Sequence, residues 1–529
     1  MIRKLSLVGV PAVLLFVAAC SGSPTKNSDS SSSPAAGNSS PAASTAPSTP
    51  KERIAYTVWV EGTESDASLA LAFKKLGDKF NLDLKMVYTP LTDLPTKINL
   101  AASTGDFPDI IFKIPNGIDT KKMGVQGILL PLKELSKKYA PNFLKALNET
   151  TDAEKVITVQ NDFYQMPVLA EKGMANNNRN GTIYRKDILD KNGIKSPTTT
   201  EEFYNVLKQL KQLYPDSAPI SNRTPGLAKS TFFSVFGVYS TPVEQYILAS
   251  DAYKESIAYM AKLYKEKLLD NEFLTITQQQ FNEKVYANKV FFFYDNEQTY
   301  EQMGTQLAGI NTQELTQAMA DSDPKKKEDL SKKLLSVVDV MPNIQAPGRE
   351  FSKGSPDLVN LRGVVFSKKI KNPERALEMV DYLFSKEGSR FGALGDEGVA
   401  YTIGSDGKLR VRNMTDEEKK KNPLAAALQL GSRRTLEVYR DTRLVGYRET
   451  TVNGASFKER PMEIYEMNDE QTQRYAVLNA QITKKQQEYE SKFITGALEV
   501  EKGWNDYIND LKKLGLDEML KLQNDTRVK

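Results

Sequence analysis

Histidine is absent from the 529 residues, and that absence removes whole classes of chemistry. No histidine-based triad, no histidine general base and no histidine-ligated zinc site can be built. Cysteine occurs once, at position 20, so the chain cannot form an internal disulfide. Charge of one sign is not in excess either. Lys and Arg number 71 against 67 Asp and Glu, a balance that gives no reason to expect nucleic acid as a partner. Beyond the first twenty residues no apolar run approaches the roughly 20 residues that span a bilayer. An enzyme built on paired carboxylates passes every one of these filters. The 40% hydrophobic content is enough for a substantial core, and the length suggests two to four domains.

The one cysteine has an informative setting. Arg3 and Lys4 precede a mostly apolar run, Leu5 to Ala19, which is short for a transmembrane helix. A basic start, an apolar core and small residues before the cysteine describe an export signal. Val17-Ala18-Ala19-Cys20 resembles the lipobox of bacterial lipoproteins, in which the cysteine is diacylated and becomes the new N-terminus. Residues 21–50 are almost all Ser, Pro, Ala, Thr, Gly and Asn. They carry too little apolar surface to offset ordering entropy, so they read as a tether with an end-to-end reach of roughly 30 Å. Cys20 is thus the expected lipid anchor on the extracellular face of the cell membrane. The folded part is expected from about Lys51.

From there strands and helices alternate. Ile54, Tyr56, Val58 and Val60 share one face of a strand, with Thr57 and Trp59 on the other. A helix carrying Leu69, Ala72, Phe73, Leu76 and Phe80 follows, capped by Ser65 or Asp66. Leu82–Val87 reads as a second strand. A helix then starts near Pro95 and ends at Gly105, and Pro108–Phe112 is a third strand. That pace predicts a parallel, doubly wound α/β sheet, whose ligands dock beyond the carboxyl ends of its strands. Further on, Thr182–Tyr184 reads as a strand, and Thr199 with Glu202 as the capping box of a helix burying Phe203, Val206, Leu207 and Leu210. Val290–Asn296 reads as a buried strand ending in polar groups. After the strand near 361–366, Asn372 is the expected cap and Pro373 the first residue of another helix. From about 415 the chain reads as mostly helical. Trp504 shares a helical face with Ile508 and Leu511, which reads as packing.

Four stretches carry a family resemblance: "STGDFPDII" (Ser103 to Ile111), "IYRKDILDKNGIKSPTTTEEF" (Ile183 to Phe203), "VVFSKKIKNPERALEMVDYLFSKEG" (Val364 to Gly388) and "GDEGVAYTI" (Gly395 to Ile403). In order and spacing they resemble family 1 of the bacterial extracellular solute-binding proteins, the carbohydrate-binding lipoproteins of ABC importers. The resemblance implies a two-lobed type II clamp, periplasmic-binding-protein-like, with parallel-sheet lobes, a hinge and a helical C-terminal part. It suggests residues 51–165 and 360–405 for one lobe, and 166–359 and 406–529 for the other, after a 1–20 signal and the 21–50 tether. The first crossing is expected at Tyr164–Ala170. Several long members bind calcium through an Asp/Asn-rich loop after the corresponding helix. Here "YPDSAPISNR" (Tyr214 to Arg223) offers one carboxylate, too few for an ion that takes six to eight oxygens. No metal and no cofactor is expected.

A sugar cleft needs flat rings for C–H faces, and carboxylates and amides for hydroxyls. Trp59 reads either as a stacking ring or as core. Glu61 and Glu64 lie in the loop after the first strand. Asp106 either caps its turn or, as the resemblance implies, reaches the cleft from the same strand-end edge as Trp59. Tyr294, Asp295 and Asn296 end a buried strand. Phe232 and Tyr239 flank "FFSVFGVY", and Tyr184 and Tyr401 belong to the resemblance motifs; each of these rings could serve the fold instead. The expected function is non-catalytic: a monomer capturing an oligosaccharide for an ABC permease. The alternatives are a lipid-anchored hydrolase using two carboxylates, for which no motif nominates a pair, and a sugar-sensing lipoprotein for a membrane kinase.

Overall fold

The computed structural model describes residues 53–528 except 64, 172, 173, 175–179, 322, 355–357, 413, 422–432, 447 and 454–456. Cys20, the 21–50 segment and Glu64 lie outside the described residues.

Local signals in the first hundred described residues act as expected. On the strand Ile54–Glu61, Tyr56, Val58 and Val60 are each at most 1% exposed and alternate with half-buried neighbours, the period of two that a pleated strand imposes. Asp66 Oδ1 accepts the Leu69 N–H at 3.0 Å and caps the helix Ala67–Phe80. Pro95 sits in the first turn of Leu94–Thr104, and Gly105 closes that helix at φ 81°. Two capping expectations change. Thr199 does accept the Glu202 N–H at 3.1 Å, but Glu202 reaches back to the N–H and hydroxyl of Thr198, one residue earlier. Asn372 precedes Pro373–Tyr382 without a side-chain cap; it is left-handed at φ 50°, and its carbonyl accepts the Tyr56 hydroxyl at 2.6 Å.

Two main sheets form. The first has six strands, in the order Arg433–Arg434, Met166–Ala170, Val359–Phe366, Ile110–Phe112, Ile54–Glu61, Leu82–Thr89. The second has four, in the order Val338–Val340, Asn180–Arg185, Phe292–Asn296, Ile220–Ser221. Neither is wholly parallel. Ile54–Glu61 runs parallel to both neighbours, but Val359–Phe366 is antiparallel to Ile110–Phe112 and Asn180–Arg185 to Phe292–Asn296. Those two strands are where the chain arrives from the other sheet. It enters at the carboxyl edge and can only run downward, against its neighbours.

Each sheet is covered on both faces. Tyr56, Val58, Phe73, Phe112 and Phe143 belong to one core of the first sheet, and Ile98, Ile111 and Val365 to the other. Phe203, Phe292 and Tyr253 lie in one core of the second sheet, and Ile183, Phe293 and Val338 in the other. No cluster among the described residues mixes the two sheets. The helices Asp469–Thr495, Val500–Lys513 and Leu516–Thr526 bury Ile482, Trp504 and Met519 in the core of the second sheet. There Glu490, 5% exposed, accepts from Lys229 Nζ at 2.5 Å and from the Tyr253 hydroxyl at 2.9 Å.

The strand pairing departs from the expected division of the chain. Met166–Ala170 and Arg433–Arg434 belong to the first sheet, whereas the resemblance implies the other lobe for residues from 166 and from 406. A buried strand must find partners for its backbone polar groups, and Met166–Ala170 finds them on Val359–Phe366.

Candidate functional site

The chain crossings define the candidate site. The first leaves at Ala170, beside the start of Val359–Phe366, and arrives at Asn180, opposite Asn296. The second leaves after Val340, where the Met341 N–H donates to the Thr182 carbonyl at 2.7 Å, and arrives at Val359. Both crossings therefore join the carboxyl edge of one sheet to the carboxyl edge of the other, and these two edges bound one cleft.

On the first edge, Arg362 Nη2 pairs with Glu61 Oε2. The two residues stand on strands separated by Ile110–Phe112, so the pair passes over that strand's end. Directly there lies Lys113, left-handed at φ 54° and half-buried. Left-handed backbone is disfavoured for a side chain with a Cβ. The next amide, Ile114 N–H, is held by the Gly363 carbonyl at 3.0 Å, and a Cβ at Gly363 would fall 2.1 Å from the Met166 carbonyl oxygen, so these strands are clamped together. Burial holds the Lys113 ammonium below the usual lysine pKa, against the opposing charge of Asp66. Trp59 is half-buried against Ile98 and Ile111. Lys97 Nζ lies 4.3 Å from its ring centroid and donates to Thr89 Oγ1 at 3.2 Å, a cation–π arrangement.

On the second edge, Arg223 forks onto Asp295 at 2.7 and 3.0 Å. Asp295 is 3% exposed and also accepts the Asn296 N–H at 2.8 Å. The hydrogen bond to Asp295 pushes the Arg223 pKa up. Asn296 caps Glu297–Leu307, accepting the Thr299 N–H at 3.1 Å. Tyr294 lines a small pocket with Thr182, Ser234, Asn343 and Lys353. Lys353 is 2% exposed; its Nζ donates to the Asn180 carbonyl at 3.3 Å and lies 4.5 Å from the Phe457 ring centroid.

The remaining candidates lie elsewhere. Asp106 is exposed in the turn that enters Ile110–Phe112, at the opposite edge of the sheet, where Lys369 Nζ reaches the Gly105 carbonyl at 3.0 Å. The preceding helix runs back across the sheet, so a helix-to-strand turn cannot reach the carboxyl edge. Tyr184 is 8% exposed and stacks on Phe292 at 6.2 Å. Phe232, 1% exposed, packs on Tyr259 at 5.6 Å. Tyr401, 2% exposed, fills a small cluster with Leu394 and Leu409, and burial pushes its hydroxyl up to about 12. These three rings serve packing. Tyr239 meets Phe233 edge-on at 6.3 Å and lies under Gly354, in the second crossing; burial pushes its hydroxyl up to about 12. The edges also hold Lys113, Arg362, Arg223 and Lys353, which no motif singles out. Only Lys113 carried a sequence signal, since it follows directly on a predicted strand.

Chemically, the edges offer rings, hydroxyls, an amide and cations. Of the described acids at these edges, Glu61 and Asp295 are engaged by arginines, Asp66 caps its helix, and Glu297 is buried at the start of the helix that follows Asn296. In the Tyr214–Arg223 loop, the Ser217 carbonyl accepts from Lys211 Nζ.

Residues 66–390 match the family described as bacterial extracellular solute-binding protein. The chain is 25% identical over 229 residues to the fructooligosaccharide ABC transporter substrate-binding protein FusA of Streptococcus pneumoniae serotype 4, covering 39% of this chain and 43% of the relative. It is 24% identical over 242 residues to the polygalacturonan/rhamnogalacturonan-binding protein YtcQ of Bacillus subtilis, covering 42% and 46%. Each match thus spans less than half of the relative. The crystal structure of the alginate-binding protein AlgQ2 without calcium ion superposes with a TM-score of 0.61 at 19% identity, over 90% of this chain and 98% of that one. The likeness shows the fold: a two-lobed type II clamp.

Proposed function

Because the chain belongs to the bacterial extracellular solute-binding proteins, we propose that it captures an oligosaccharide between its two lobes and delivers it, uncleaved, to an ABC permease. The observation that carries this reading is the joining of the two carboxyl edges by the chain crossings between Ala170 and Asn180 and between Val340 and Val359. A clamp hinged this way buries a ligand on closure and frees it on opening. The substrates in the names of FusA and YtcQ, a fructooligosaccharide and polygalacturonan/rhamnogalacturonan, support a carbohydrate ligand. The lobes are essentially the two sheets with their separate cores, the C-terminal helices belonging with the second. Trp59 and Tyr294 are the ligand-facing rings. Cys20 carries the lipid anchor that holds the protein on the extracellular face of the membrane.

A non-catalytic role agrees with the edge acids. Hydrolysis by paired carboxylates needs one acid protonated and one free to act as base or nucleophile. Glu61 and Asp295 each face an arginine instead.

The test is titration calorimetry of the soluble chain from Lys51 onward with a panel of neutral and acidic oligosaccharides. At least one should bind, in EDTA as in its absence, and chromatography should recover it intact. Steady release of shorter sugars would replace this reading with the hydrolase. In the full chain, Cys20→Ser should move the protein from membrane to medium; retention on the membrane would remove the anchor.

A further inference from the structure

The charges at the first edge are unevenly partnered. Glu61 is matched by Arg362. Asp66 spends one carboxylate oxygen capping its helix. Across the cleft, Asp295 is matched by Arg223. The cations are not matched in the same way. Among the described residues, neither Lys113 nor Lys97 has a carboxylate within ion-pair distance; Lys97 has only the Trp59 ring and the Thr89 hydroxyl.

Lys113 is the most unusual of these. It stands at the end of the central strand of the first sheet, under the Glu61–Arg362 pair, with a left-handed backbone. Strained backbone of this kind concentrates where function needs a particular geometry. It is half-buried at the strand end, no described carboxylate forms an ion pair with it, and its burial disfavours the charged form more than the charge of Asp66 favours it. A ligand anion would relieve that penalty. A neutral hydroxyl would relieve much less of it, because hydrogen bonds between two ions are the stronger kind.

We propose that the ligand is an acidic oligosaccharide, a uronate, whose carboxylate seats on Lys113 while its ring lies against Trp59. Lys97 sits on that indole and adds positive potential beside the same sugar. The inference rests on the oligosaccharide-binding reading above and narrows it to one substrate class.

The probes are trimers of galacturonate, guluronate and mannuronate, each with its methyl ester, and a neutral fructo-oligosaccharide. The esters keep the ring and hydroxyls and remove only the charge. The wild-type chain should bind at least one acid trimer ten or more times tighter than its ester, with affinity falling as salt rises. Lys113→Met should reduce the acid-to-ester ratio to near one, with the larger loss falling on the acid trimer, and Lys113→Arg should restore most of the preference. A Lys113→Met protein with an unchanged ratio would overturn the assignment to Lys113. Equal wild-type binding of acid and ester, or binding of the neutral sugar alone, would overturn the acidic class and leave the oligosaccharide reading standing. Binding of no probe at all would overturn both.

Discussion

Arg362 and Glu61 pair across the end of the strand that separates them, tying together three strands of the first sheet at the edge where ligands dock. Both side chains are only about a quarter exposed, 27% and 24%. Arg362→Met should therefore destabilise the chain by about 1–3 kcal/mol, because it leaves Glu61 partly desolvated without its partner. Adding Glu61→Gln should recover part of that loss. Urea unfolding of both single mutants and the double mutant measures the coupling, expected at about 0.5–3 kcal/mol. Strictly additive losses would mean the pair contributes no mutual stabilisation.

Trp59 and Asp106 should behave oppositely. Trp59→Ala removes a half-buried ring at the cleft edge, and a loss of about 1.5 kcal/mol of apolar contact corresponds to roughly tenfold weaker ligand binding. Asp106→Ala, at the far edge, should leave affinity unchanged. Calorimetry on both mutants decides; an affinity loss confined to Asp106→Ala would reverse the placement of the site.

The buried cluster of Glu490, Lys229, Tyr253 and Gln486 should be the most sensitive joint between the C-terminal helices and the second sheet. Glu490→Gln leaves Lys229 without its carboxylate, and breaking a buried pair costs about 3–5 kcal/mol. Lys229 is itself partly exposed, with 26% of its side chain accessible, so the lower end of that range is expected. The check is a thermal scan of mutant and wild type; equal melting temperatures would show that the carboxylate is not needed.

Acid should weaken the attachment of the helix Leu436–Asp441 to Lys386–Leu394. Burial pushes the Glu437 carboxyl up, but the hydrogen bond and charge of Arg390, with Lys386, outweigh it and hold the group below its usual 4.5. A carboxyl with a depressed folded-state pKa contributes stability that is present above the unfolded value and lost as pH falls through the folded one. Wild type should therefore melt above Glu437→Gln at pH 6–7, and the gap should shrink progressively as pH falls below the usual carboxyl value of 4.5. Melting curves across that range test it; a constant gap would assign the effect of the mutation to packing.

What the sequence determined by itself was local. Alternation fixes the inner face of Ile54–Glu61, Asp66 and Gly105 mark helix ends, and Pro95 marks a start, because these signals act between residues a few positions apart. The ordered motifs from Ser103 to Ile403 pointed to the family and its two-lobed fold. The tertiary structure alone decided which edge each turn occupies. It moved Asp106 to the far side, turned Tyr184, Phe232 and Tyr401 into core, and brought Arg362 over Lys113 to Glu61. The physical reason is that a polar or aromatic residue at a strand end looks the same in sequence whether it faces the cleft, a neighbouring helix or an ion partner from another strand. The chain crossings that set those neighbours connect residues far apart along the chain.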